Sequence, residues 1–178
     1  MAYSYDRRPL YHGTSHNYEK PKLNPRGILW LTPNPVVAAE YATPHYHKGE
    51  SFVWKFQLKG GAKIVDLSDL SHPVIREVFN STNESRKYTL GPWTEEDWER
   101  HTDFGTLEQF AWLPKFLKSK GIDGVTCRDS ISTIGIPHDS VALLKLSAIA
   151  SMEKQVVTPD GKSKTIGEIQ KEVEDWKP

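Results

Sequence analysis

Cys127 is the one cysteine in a chain of 178 residues, and this scarcity excludes an internal disulfide and any cysteine-rich metal site. It fits a reducing compartment. An excess of charge of either sign is also missing: Lys plus Arg number 23 and Asp plus Glu number 23. Nothing in that balance announces a nucleic-acid or membrane-surface binder, although a local basic patch is compatible with it. No apolar run approaches the ~20 residues that a membrane span needs. The opening segment, Met1 to Arg8, is polar rather than signal-like. The expectation is a cytoplasmic protein with no membrane partner. Repeats and low-complexity tracts are absent as well.

Aromatic residues are plentiful, with six Trp, seven Tyr and six Phe, and charged residues make up 26% of a chain that is 37% hydrophobic. That composition suits one globular domain with a real core, over residues 1–178, able to stack flat ligands. Leu10 to Thr14 and Gly27 to Thr32 read as two short strands that pair. Asn34 offers a helix cap and Pro35 a first helical position for the helix that carries Tyr41. Ser51 to Leu58 alternates as a half-buried strand, and Ile64 to Leu67 reads as another. A helix over Ser71 to Phe79 is followed by loop to Leu90.

Thr94 with Asp97, and Thr106 with Gln109, resemble capping boxes, so a helix is predicted to begin at each. The second is interrupted near Pro114 and stops at Gly121. Gly124 to Cys127 and Ser140 to Leu144 are strands, the latter apolar enough to be central, with a long connection from Arg128 to Asp139. A turn at Pro159 to Gly161 and a capped helix from Thr165 to Trp176, with Glu168 completing the box, fill residues 151–178. Strands and short helices that do not alternate regularly predict an α+β fold with a mostly antiparallel sheet.

Three stretches carry the functional reading: Leu10-Tyr11-His12-Gly13-Thr14-Ser15, then Gly27-Ile28-Leu29-Trp30-Leu31-Thr32, then the helix with Tyr41, eleven positions after Trp30. In this order they resemble the diphtheria-toxin and poly(ADP-ribose) polymerase branch of the ADP-ribosyltransferases. Lys118 to Val125 is similar to that family's helix end, turn and strand, and Asp139 to Ile149 to its closing strand. The resemblance spans about residues 8–150. It implies a single ADP-ribosyltransferase-like domain with a split, mostly antiparallel sheet and short flanking helices, and NAD+ as substrate. Tyr11, His12, Gly13, Thr14, Trp30 and Tyr41 become the NAD+-binding residues.

The chemistry of these residues agrees with that role. Cleavage of the nicotinamide bond develops a ribosyl cation, so the ribose must be held and negative or dipolar groups placed beside it. His12 can hydrogen-bond a ribose hydroxyl, and Gly13 lets the main chain approach the carboxamide. Trp30 and Tyr41 can wall a flat ring, each stack contributing about 1 kcal/mol. The family's closing strand begins with a Glu where this chain has Ser140, and Trp30 stands where a Tyr is usual. Asp139 is adjacent to Ser140, but neighbours on a regular strand face opposite sides. His12, Asp139 and Ser140 are the catalytic candidates.

No metal is assigned: His45 and His47 fit an exposed loop without a third ligand. Cys127 reads as a buried strand residue with no base beside it. Glu95, Glu96 and Asp97 suit the first turn of a helix, and Glu108 is a fallback acid. The implied activity is mono-ADP-ribosylation of a protein or nucleic acid, as by a phage or bacterial effector, which would act in the host-cell cytoplasm. The alternative is a catalytically silent module of this type that binds NAD+, ADP-ribose or a partner protein. An RNA 2′-phosphotransferase ranks last, lacking a convincing set of Arg and His residues. Thr82 to Phe104, rich in Trp and charge, is the candidate partner-facing insertion.

Overall fold

The computed structural model describes residues 8–42, 51–87, 90–102, 104–129, 137–157 and 166–177. It is an α+β structure. Its strands are β1 (Leu10–Thr14), β2 (Leu29–Leu31), β3 (Ser51–Leu58), β4 (Ile64–Asp66), β5 (Gly124–Asp129), β6 (His138–Leu143) and β7 (Ile149–Val157). They form two sheets, ordered β1-β3-β7 and β2-β6-β5-β4. Every pairing is antiparallel except β4 with β5. The helices are α1 (Pro35–Ala42), α2 (Pro73–Arg86), α3 (Glu95–His101), α4 (Phe104–Gln109), α5 (Leu113–Ser119) and α6 (Ile166–Asp175).

Strand alternation sorts the side chains into layers. Leu10, Trp54 and Phe56 of the first sheet meet Leu29, Leu31, Val141 and Leu143 of the second in one buried cluster. The opposite face of the second sheet, with Val65, Val125, Cys127 and Ala142, packs on Ile75, Val78, Trp98, Leu107, Leu113 and Leu117 from the helices. The outer face of the first sheet presents Tyr11 and Val53 to Ala38 and Ala42 of α1. The layers therefore run α1, first sheet, second sheet, α2 to α5.

Local chemistry sets the helix ends. The Asn34 side-chain oxygen accepts from Val36 N–H at 2.9 Å, which caps α1. Thr94 and Asp97 form a reciprocal capping box for α3. The left-handed Gly121, at φ 80°, ends α5. There Gly121 N–H donates to Lys118 and Ile122 N–H to Leu117, at 3.0 and 3.1 Å, the paired bonds of a Schellman motif.

Several sequence expectations need correction. β1 and β2 were expected to pair, but they belong to different sheets and touch through one isolated bridge, Tyr11 to Thr32. The expected loop from Asn80 is helical as far as Arg86, because Thr82 extends the buried face of α2. Thr106 lies inside α4 rather than at its start, and Pro114 sits in the first turn of a separate helix, α5. β7 escaped detection because it is an exposed edge strand without clear alternation. The stretch from Thr82 to Phe104 is no free insertion: Trp98 is fully buried and donates from Nε1 to the Leu67 carbonyl at 3.0 Å. The His45 and His47 loop, the turn at residues 159–161 and the cap expected at Thr165 lie outside the described residues.

Gly13 is where α1 lies hardest against the sheet. A Cβ there would stand 1.7 Å from the Ala38 carbonyl oxygen and 2.7 Å from the Ala42 nitrogen, both backbone atoms of the helix. Gly13→Ala is predicted to lower stability by about 3 kcal/mol, the upper end of ordinary overpacking. Gly61→Ala, whose Cβ would meet nothing within 4 Å, is the control and should change little. Urea-denaturation midpoints of the two variants check the contrast.

Candidate functional site

The site begins where β1 and β2 part. Tyr11 and Thr32 exchange two backbone hydrogen bonds of 2.8 Å. Antiparallel register would next set Gly13 opposite Trp30, but the bridge is isolated. The Trp30 carbonyl instead accepts from Nδ1 of the His12 side chain at 2.8 Å. Because Tyr11 turns its N–H and C=O toward β2, Gly13, two residues on, turns its own the same way, into the gap.

That gap opens into a cavity of about 290 Å³, lined by Tyr11, His12, Gly13, Trp30, Leu31, Thr32, Ala38, Tyr41, Asp129 and Ser140. Tyr11, His12, Gly13, Trp30, Tyr41 and Ser140, all singled out from the sequence, come together here from β1, β2, α1 and β6. The walls are chiefly apolar and aromatic, with a few polar groups, the usual character of a small-molecule site.

Two candidates are placed elsewhere. The Thr14 hydroxyl accepts from His16 N–H at 3.1 Å and closes the turn after β1, and Thr14 is not among the lining residues. Asp139 is exposed and lines a second cavity, of about 490 Å³, together with Arg8, Asp66 and Arg128, while Ser140 lines both cavities. β6 pairs with β5 without a register shift, Arg128 opposite Asp139 and Cys127 opposite Ser140. Asp139 and Ser140 therefore face opposite sides, and Ser140 shares the buried face of Cys127. Among the described residues no cluster of His, Cys, Asp or Glu could hold a metal.

Three further residues shape the site. Tyr18 lies 2.9 Å by its hydroxyl from His12 Nε2. Since Nδ1 must carry the proton it gives to the Trp30 carbonyl, neutral Nε2 is an acceptor and Tyr18 donates. Both ring nitrogens of His12 are thus engaged within the protein, and another hydroxyl would reach Nε2 only by displacing that of Tyr18. Asp129, only 5% exposed, ends β5 on the same face as Cys127. It accepts from the Tyr41 hydroxyl at 3.1 Å, fixing the angle of that ring. His138, its cross-strand partner, brings Nε2 within 3.5 Å of the same oxygen and meets Tyr41 edge-on at 6.0 Å. Extending the alternation of Val125 and Cys127 by two residues would have placed Asp129 on this face. β5 runs to Asp129, two residues beyond the expected end at Cys127.

Burial pushes His12 below its ordinary pKa of 6.5, against a weaker upward pull from the Trp30 carbonyl. The unfolded chain thus binds the proton more readily than the folded one. Stability contributed by neutral His12 is present above 6.5 and is lost as pH falls from there through the folded value. His12→Asn, which can keep an amide donor to Trp30 but carries no titratable ring, should flatten that part of the stability profile. Urea unfolding of both proteins at a series of pH values below 6.5 checks it.

Comparison with protein-family models, with curated proteins and with solved structures returns no significant match, so the functional reading stands on this geometry and on the residues that build it.

Proposed function

We propose that the chain is an NAD+-dependent mono-ADP-ribosyltransferase that modifies a protein or nucleic acid. The observation that carries this reading is the convergence, on one cavity, of residues from four separate segments: Tyr11, His12 and Gly13, Trp30, Tyr41, and Ser140. Tyr41 and Trp30 offer aromatic walls to the nicotinamide ring. Gly13 offers backbone N–H and C=O to its carboxamide, a donor and acceptor matched to an acceptor and donor. His12, or the Tyr18 hydroxyl bound to it, meets a ribose hydroxyl.

The cavity is lined by few polar groups, so the dipoles that remain act with little screening. Ser140 is 4% exposed and lies on the cavity wall, at the position where the resembling family has its Glu, and it can offer a hydroxyl but no charge. If the site proves unable to cleave NAD+, that difference supports the module that binds NAD+, ADP-ribose or a partner protein without chemistry.

Titration with NAD+ and with nicotinamide, followed by incubation with labelled NAD+ and a cell lysate, tests the proposal. Binding and transfer of label to a macromolecule are expected. Trp30→Ala should weaken NAD+ binding by about 1 to 3 kcal/mol, the loss of one stacking wall and its buried area. Wild-type protein that binds neither ligand would overturn the reading. Binding without cleavage or transfer would leave the silent module.

A further inference from the structure

Ser140 leaves the proposed reaction without the negative charge that a developing ribosyl cation calls for. The geometry points to Asp129 as the group that supplies it, an inference that rests on the transferase reading above. Asp129 lines the same cavity as Trp30, Tyr41 and Ser140. It lies on the same face of the second sheet as Ser140, two residues beyond Cys127, the cross-strand partner of Ser140. A carboxylate that is 5% exposed, at the rim of an apolar core, is there at a cost in desolvation. The Tyr41 hydroxyl, donating from one α-helix to Oδ2 at 3.1 Å, offsets that cost and aims the carboxylate, and His138 Nε2 of the neighbouring strand lies 3.5 Å from the same oxygen. Asp139, the carboxylate next to Ser140 in the sequence, lines the other cavity.

In the step itself the bond between ribose C1′ and the nicotinamide nitrogen breaks, and its electron pair leaves with the ring as neutral nicotinamide. Asp129 stabilises the positive charge left on the ribose. A hydroxyl or amine of the acceptor, or water, then bonds to C1′ and gives up its proton to Asp129, which releases it to solvent. NAD+ and the acceptor become ADP-ribosyl acceptor, nicotinamide and one proton.

Cleavage and label transfer at saturating NAD+, together with NAD+ affinity, should be measured for wild type, Asp129→Asn, Asp139→Asn and the double variant Asp129→Asn with Ser140→Glu. Asp129→Asn keeps an acceptor for Tyr41 and should lower turnover by about 10²- to 10³-fold, as for loss of one group that stabilises developing charge. Its NAD+ affinity should change little. Asp139→Asn should keep wild-type turnover. The double variant should recover part of the loss, because a carboxylate returns to the cavity from the adjacent strand, and a purely structural role for Asp129 would give no such recovery. An active Asp129→Asn protein with wild-type turnover overturns this inference and leaves the transferase reading intact, whereas a wild type that binds NAD+ without cleaving it overturns both. Should Asp129→Asn fail to fold, Asp129→Glu decides: it keeps the charge and should retain measurable cleavage, and a folded but inert Asp129→Glu counts against the inference.

Discussion

The parting of β1 from β2 is the constraint on which the rest depends. Two edge strands that could have zipped together stop after a single bridge, and a side chain of one takes the carbonyl of the other. The hydrogen bond from His12 to the Trp30 carbonyl satisfies a main-chain acceptor that a ladder would otherwise have used. Leu10, Leu29, Trp54 and Val141 bind the two sheets together in the core beside it. The cavity is the space left by that compromise. A continued ladder would fill it, and a wider split would expose the core.

Gly13 ties this opening to the helix above it. Its missing side chain lets the backbone of α1 settle directly on the strand, so the one residue both admits the helix and turns its own N–H and C=O into the gap. α1 is short, capped by Asn34 and packed through Ala38 and Ala42, and it delivers Tyr41 over the cavity. Small residues toward the sheet and one aromatic toward the opening are what a helix at this distance can accommodate. The position of Tyr41 is a consequence of the same contact, whereas Trp30 is set by the pairing of β2 with β6.

Polar groups in this site are few and mutually held. Tyr18 answers His12, while Tyr41 and His138 answer Asp129. In a medium of low polarisability each such pairing orients its members strongly, which is how a shallow opening between sheets acquires direction. A second hollow is different in kind: Arg8, Asp66, Arg128 and Asp139, all charged, are among the residues that line it. Strand alternation turns the side chains of Asp139 and Ser140 to opposite faces, although Ser140 lines both openings.

Much of this was legible in the residues themselves. The motif residues Tyr11, His12, Gly13, Trp30 and Tyr41, the cap at Asn34, the box at Thr94 and Asp97 and the stop at Gly121 depend on chemistry within a few positions, and short-range chemistry is written in order along a chain. The central place of β6 followed from its apolar run. What the tertiary structure alone decided depends on contacts across long separations. His12 finds the carbonyl of Trp30 and the hydroxyl of Tyr18 only after two sheets have packed, and Asp129 meets Tyr41 across 88 residues of chain. Gly13 looked like a point of ligand approach and is also the seat of a helix, because no local rule says which backbone will come to rest on it. Sequence alone thus determined the motif residues and the local caps, and packing between distant segments decided that His12 meets Tyr18 and that Tyr41 meets Asp129.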